Sequence, residues 1–120
     1  VDNGCMRVIA KSHKQKHLQY KDVDTKKHLF GREIINKDLN RSEGIDLELE
    51  VGECHFHDAF TAHASNPNKS GKRRCGYTMR YMPADVKYHV DGWNHQHHIY
   101  LLRGQDQTND FNTYQTIPDF

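Results

Sequence analysis

The chain has 120 residues, of which 35% are hydrophobic and 28% charged, with a mean hydropathy of −0.97. That length allows one domain with a single core, and aromatics spread along the chain argue against disorder. Seventeen Lys plus Arg against 16 Asp plus Glu exclude a general polyanion-binding field, so no nucleic-acid partner is expected. No apolar run is long enough to span a membrane and no signal peptide is present, which points to a cytoplasmic protein with no membrane partner.

The chain begins at Val1 and enters at once into Asn3-Gly4, a turn signal; so abrupt a start reads as a fragment or a trimmed domain. Met6, Val8 and Ala10 alternate with Arg7 and Ile9, as in a short strand leaving that turn. Residues 11–44 are rich in Lys, His, Asp and Asn and lack a sustained apolar period. They read as a long surface excursion, with a turn of helix around Asp38 to Arg41.

The clearest periodicity follows. In Asp46-Leu47-Glu48-Leu49-Glu50-Val51 every second residue is apolar, which predicts a strand with one buried face. Gly52-Glu53 makes a turn, and Cys54 to Asp58 alternates again, with His55 and His57 on one face and Cys54 and Phe56 on the other. Thr61, His63 and Ser65 share one face of a third short strand. Asn66 to Lys72 is a loop, and Arg74 to Met82 reads as a fourth strand stopped by Pro83. Asp91-Gly92 and Gly104 mark turns, Ile99 to Leu102 is a short apolar run, and the last fifteen residues look irregular. Short strands between turn signals argue for a mainly β fold, an antiparallel sandwich or barrel.

Ten histidines are the outlying count, and Cys5, Cys54 and Cys75 form no CxxC pair, so they read as reduced cytosolic thiols. The strongest constellation is His63, Ser65, Asn68 and Arg74. An imidazole, a hydroxyl and a guanidinium could converge where one strand returns beside another. Imidazole suits Fe(II) held by two histidines and a carboxylate, and an arginine fork matches a carboxylate with two parallel hydrogen bonds. Spacing alone leaves the ordinary reading open, in which a strand histidine is a polar surface or satisfied interior group.

The run from Gly52 through Phe56-His57-Asp58-Ala59-Phe60-Thr61-Ala62-His63-Ala64-Ser65-Asn66-Pro67-Asn68-Lys69-Ser70 to Arg74 resembles the distal motif of the phytanoyl-CoA dioxygenase family. That motif has a Gly-acidic turn, an apolar strand, His-x-Ser-x-x-Asn-x-Ser/Thr, and an arginine after it. Asn3-Gly4-Cys5-Met6-Arg7-Val8-Ile9-Ala10-Lys11-Ser12-His13-Lys14 is similar to the family's Asn-Gly-x-x-x-Val-x-Pro-Gly-Ser-His-Lys stretch. Ala10-Lys11 stands where the family has Pro-Gly, which should leave that turn less tight.

The resemblance implies a double-stranded β-helix (jelly roll, cupin-like), of which residues 1–120 would be the carboxy-terminal part, an incomplete barrel with its core at about 3–82 and an irregular tail at 83–120. It implies an Fe(II)- and 2-oxoglutarate-dependent dioxygenase that couples decarboxylation of 2-oxoglutarate to hydroxylation of an unactivated C–H bond. A small organic or acyl substrate and O2 would be its partners. His63 would be an iron ligand, Arg74 with Ser65 would hold the far carboxylate of 2-oxoglutarate, and Asn68 would organise the loop between them. Asp58, Thr61, Asn68 and Arg80 are candidates to line the site. The family's His-x-Asp/Glu iron motif lies before the Asn-Gly segment and is missing here.

His89-Val90-Asp91 fits that pattern but falls after His63 and reads as coincidence. The His55/His57 pair could touch a metal or face solvent, and His95, His97 and His98 read as a solvated loop. Competing readings are a non-catalytic cupin-like binding module, a halogenase in which a small residue replaces the carboxylate ligand, and an inactive fragment that self-associates through exposed strand edges.

Overall fold

The structure, a computed structural model, describes residues 1–28, 30–35, 37, 39–89 and 97–118. It separates into two units, Val1–Gly76 and Tyr77–Phe120.

The first unit is built around β1 (Met6–Val8). The chain turns at its start through a bond from the Gly4 amide to the Val1 carbonyl, with Gly4 at φ 75°. Two more strands can be numbered with it in chain order: β4 (Ile45–Leu47) and β5 (His63–Ser65) flank β1 in a three-stranded antiparallel sheet, β4-β1-β5. Met6 faces Leu47 and Ser65, while Val8 faces Ile45 and His63. Directly opposed residues share a face of an antiparallel sheet. One face therefore carries Met6, Val8, Ile45 and Leu47 together with His63 and Ser65, and the other carries Arg7, Asp46 and Ala64. On that second face Arg7 Nε lies 2.8 Å from Asp46 Oδ1 in an ion contact without in-line hydrogen-bond geometry, and Arg7 Nη2 donates to the Gly44 carbonyl at 2.7 Å.

Between β1 and β4 the long excursion is more ordered than its composition suggests. A 3₁₀ turn, Ser12–Gln15, is followed by a hairpin of β2 (Tyr20–Asp22) and β3 (Arg32–Ile34). Lys21 stands opposite Glu33 and Asp22 opposite Arg32, and both pairs make ion contacts, at 3.4 and 3.3 Å. A second 3₁₀ turn, Arg41–Glu43, is capped by Asn40, whose Oδ1 accepts from the Ser42 amide at 3.1 Å. The helical turn was expected slightly earlier, and Asp38 lies outside the described residues. Leu18, Leu39 and Ala62 form the small buried core, with Ile9 and Ile34 packed against it.

Two expected strands are corrected. Cys54 to Asp58 and Arg74 to Met82 form no ladder with any described residue, and the strand expected over 46–51 pairs only at Ile45–Leu47. Alternation reports that one face of a segment is apolar, but a strand also needs a neighbour to take its amides and carbonyls. Leu49 and Val51 continue the alternation into solvent. The turn after them is present: the Glu53 amide donates to the Glu50 carbonyl at 3.1 Å, with Gly52 at φ 93°.

The second unit has neither strand nor helix among its described residues. Its order comes from single backbone bonds, among them Gln107 to the Ala84 carbonyl and Gln115 to the Ile99 carbonyl, and from side chains. Thr108 and Asn112 are buried. Asp106 Oδ1 accepts from the Thr108 hydroxyl at 2.7 Å, the Thr108 amide at 3.1 Å and the Tyr114 hydroxyl at 3.1 Å, and Oδ2 accepts from the Asp110 amide. Asn112 donates to the Val86 carbonyl and accepts from the Tyr88 amide. The Asp91-Gly92 turn lies outside the described residues.

The described strands are consistent with a β-rich fold, and the sheets are not closed. No helix among the described residues is long and apolar enough to cross a membrane.

Candidate functional site

The site grows from the two motif segments, and Gly4 is where they meet. Gly4 is buried, and a Cβ placed on it would lie 2.4 Å from the Asn66 carbonyl oxygen and 3.2 Å from the Asn68 amide. Only glycine lets the backbone before β1 come so close to the loop after β5, at a φ that side chains disfavour. The Lys69 amide bonds the Asp2 carbonyl at 2.8 Å, closing the same junction.

β5 presents His63 and Ser65 on one face, both exposed. Arg74, on no ladder, still reaches back: its Nη1 donates to Ser65 Oγ at 3.1 Å. Asn68 shapes the chain between them. Its Oδ1 accepts from the Ser70 amide at 2.9 Å and the Ser70 hydroxyl at 2.8 Å, and its Nδ2 donates to the Lys72 carbonyl at 2.7 Å. An asparagine side chain that mimics a backbone turn in this way is an Asx-turn.

His63 Nδ1 lies 2.8 Å from the Thr61 carbonyl. A carbonyl oxygen can only accept, so in the neutral ring Nδ1 carries the proton and Nε2 keeps its lone pair free. That is the tautomer a metal-ligating histidine needs when its other nitrogen is held by a backbone acceptor. Thr61 thus acts through its backbone. Asp58 shapes the turn before it: Asp58 Oδ1 accepts from the Phe60 amide at 2.8 Å and its carbonyl from the Thr61 amide at 2.9 Å.

His57 sits between two other imidazoles, 5.1 Å from the His63 ring and 5.3 Å from the His55 ring by centroids. Partial loss of solvent, then the neighbouring His63 and His55, push the His57 imidazole below its ordinary pKa. Ring stacking at this spacing is packing, and no group of three His, Cys, Asp or Glu among the described residues could hold a metal ion. Of the other histidines singled out, His89 packs on Phe111 at 4.9 Å, and His97 and His98 are exposed. Val90, Asp91 and His95 lie outside the described residues. Arg80 is exposed in the second unit.

One contributor had no role assigned from sequence. Ser12 is 3% exposed, and its Oγ accepts from the Ala62 amide at 2.8 Å, next to His63. The signal available was its place in the Ser-His-Lys part of the first motif. Lys11, standing where the family's glycine would be, adopts φ 63°, and the turn forms through the Ser12 amide bonding the Ile9 carbonyl at 3.2 Å.

The family model of phytanoyl-CoA dioxygenase matches residues 1–76. The chain is similar to a phytanoyl-CoA dioxygenase domain-containing protein 1 homolog of Dictyostelium discoideum, 29% identical over 98 residues, which are 78% of this chain and 35% of that protein. It is also similar to a probable alpha-ketoglutarate-dependent hypophosphite dioxygenase of Stutzerimonas stutzeri, 34% identical over 86 residues, which are 70% of this chain and 30% of that protein. The chain therefore spans about a third of the length of these relatives. No solved structure matches it.

Proposed function

The chain belongs to the phytanoyl-CoA dioxygenase family, and on that premise we propose that it forms part of an Fe(II)- and 2-oxoglutarate-dependent dioxygenase of jelly-roll architecture. The observation that carries the reading is the pairing of two features on one short strand and its return. His63 has Nε2 free because the Thr61 carbonyl holds Nδ1–H, and Arg74 is tied to Ser65 two residues further along.

The residues fit the group in part. His63 supplies one iron ligand. Among the described residues no group of three His, Cys, Asp or Glu is placed to complete the set. Iron, when bound, supplies the oxidising chemistry with O2 and 2-oxoglutarate, and hydroxylation of a C–H bond on a small organic or acyl substrate is the default outcome.

Each side chain then has a defined task. The Arg74 guanidinium takes the far carboxylate of 2-oxoglutarate through parallel charge-assisted bonds, and Ser65 both aims that guanidinium and donates its hydroxyl proton to the carboxylate. Asn68 sets the length and curvature of the loop so that Arg74 returns over β5. Asp58 shapes the entry to Thr61.

The test is turnover in the natural full-length protein. Release of succinate from 2-oxoglutarate should require Fe(II) and O2. Arg74→Ala should raise the KM for 2-oxoglutarate at least about tenfold, the scale of one lost charge-assisted pair. No succinate release from a folded, Fe(II)-loaded protein would favour a non-catalytic binding module, and release indifferent to Arg74 would remove that residue as the clamp.

A further inference from the structure

We propose that Ser12 is a positioning residue for His63, acting through the single peptide unit that joins Thr61 to Ala62. The inference rests on the reading of His63 as an iron ligand and adds what aims it.

The Thr61 carbonyl and the Ala62 amide are the two ends of one rigid, planar peptide group. At the carbonyl end His63 Nδ1–H donates at 2.8 Å, and at the amide end Ser12 Oγ accepts at 2.8 Å. The three groups form one chain of hydrogen bonds: His63 Nδ1–H to Thr61 oxygen, then Ala62 N–H to Ser12 oxygen. Rotation of the peptide plane would break both ends together. Each bond polarises the next, so a serine acceptor at one end makes the carbonyl at the other a better acceptor.

The anchor is firm for reasons visible in the fold. Ser12 is 3% exposed and Ala62 4% exposed, so the bond between them is shielded from water. The Ala62 carbonyl, pointing the other way, accepts from the Ile9 amide at 3.0 Å. Residues 9 to 12 thus grip Ala62 by both of its backbone groups. Lys11 at φ 63° turns the chain so that Ile9 and Ser12 reach the same residue. His63 itself is exposed and meets the His57 ring at 5.1 Å, and the bond to the Thr61 carbonyl is what turns its Nδ1 inward. A hydroxyl fifty positions before Ala62 therefore selects which imidazole nitrogen of His63 is left open.

The test reads the metal-free protein first. Nitrogen chemical shifts of the His63 ring, recorded at about pH 8 where a free imidazole is neutral, should place the proton on Nδ1 in the wild type, with the Ala62 amide strongly protected from hydrogen exchange. Ser12→Ala should shift a large share of His63 to the Nε2–H tautomer and speed Ala62 exchange roughly tenfold, as for loss of one buried bond. Ser12→Thr, which keeps the hydroxyl, should restore both. A wild-type His63 protonated on Nε2 would overturn the proposal even if Ser12→Ala failed to fold. So would a folded Ser12→Ala in which Ala62 exchanges faster while the His63 tautomer is unchanged, because that is a merely structural tie. The second arm is Co(II) affinity in the full-length protein, expected to fall with Ser12→Ala and recover with Ser12→Thr. If His63→Ala leaves Co(II) binding untouched, the iron-ligand reading fails, and the tautomer measurement still shows separately whether the hydrogen-bond chain exists.

Discussion

Val1–Gly76 is held by backbone ladders that bring distant segments side by side, whereas the described part of Tyr77–Phe120 has no ladder and is held by single backbone bonds and by side chains bonded to backbone. The first arrangement joins residues 7, 46 and 64 across long loops and can therefore carry a site assembled from separate motifs. In the second, Asp106, Thr108, Asp110, Asn112 and Tyr114 bond within a few positions, while Asn112 reaches back to Val86 and Tyr88 and single backbone bonds join Gln107 to Ala84 and Gln115 to Ile99. Ladders tolerate side-chain changes on their solvent face. A network of single side chains does not.

The largest effect should come at the junction of the first unit. Gly4→Ala forces a Cβ against the Asn66 carbonyl at a positive φ, and should cost about 2–4 kcal/mol from overpacking and backbone strain. Denaturant unfolding would measure it, and amides of the second unit should keep their wild-type protection. Asn112→Ala is the matching break in the second unit. It strips bonds from the Val86 carbonyl and the Tyr88 amide and should cost about 2–3 kcal/mol there, read by loss of amide protection at Tyr88 and Asp110. A loss spread evenly over both units would show that they unfold together.

Acid should weaken the Asp106 network of the second unit. The Thr108 hydroxyl, then the Thr108 and Asp110 amides and Tyr114, hold the Asp106 carboxyl below its ordinary range. A carboxylate with a depressed folded pKa stabilises the fold above its ordinary pKa and loses that contribution as pH falls through the lowered value. Amides of Thr108 and Asp110 should therefore lose protection below about pH 4, and Asp106→Asn should flatten that dependence. Lys11→Gly is expected to stabilise the first unit by up to about 1 kcal/mol, because a glycine accepts φ 63° without penalty. Smallest is the exposed Lys21–Glu33 contact of the hairpin, where a double-mutant cycle should give less than about 1 kcal/mol and shrink with salt.

What could be read from the sequence follows the same division. β1, the Gly52 turn and the strand bearing His63 and Ser65 were legible because apolar alternation and two motifs in order marked them. The β2–β3 hairpin was not, because Tyr20–Asp22 is exposed throughout and its register is set by charges, which leave no apolar period. Cys54 to Asp58 and Arg74 to Met82 alternate as strands do, but the partner a ladder requires is not among the described residues. Tyr77, Met79 and Tyr81 show the consequence, at 89%, 60% and 63% exposed. The Asp106 network was illegible for another reason: Asp, Thr and Asn in an irregular tail look alike whether solvated or bonded to one another. At the site, the proximity of Ser65 and Arg74 was expected, while the Ser12 bond to Ala62 appears only once β1 and β5 lie side by side.

The most direct measurement is an anaerobic titration of the natural full-length protein with Fe(II) and 2-oxoglutarate, watching for the visible metal-to-ligand charge-transfer band of a chelated complex. The oxygenase account predicts a band in the wild type that weakens in both His63→Ala and Arg74→Ala. A folded wild-type protein that shows no band, or a band that survives both substitutions unchanged, would contradict it.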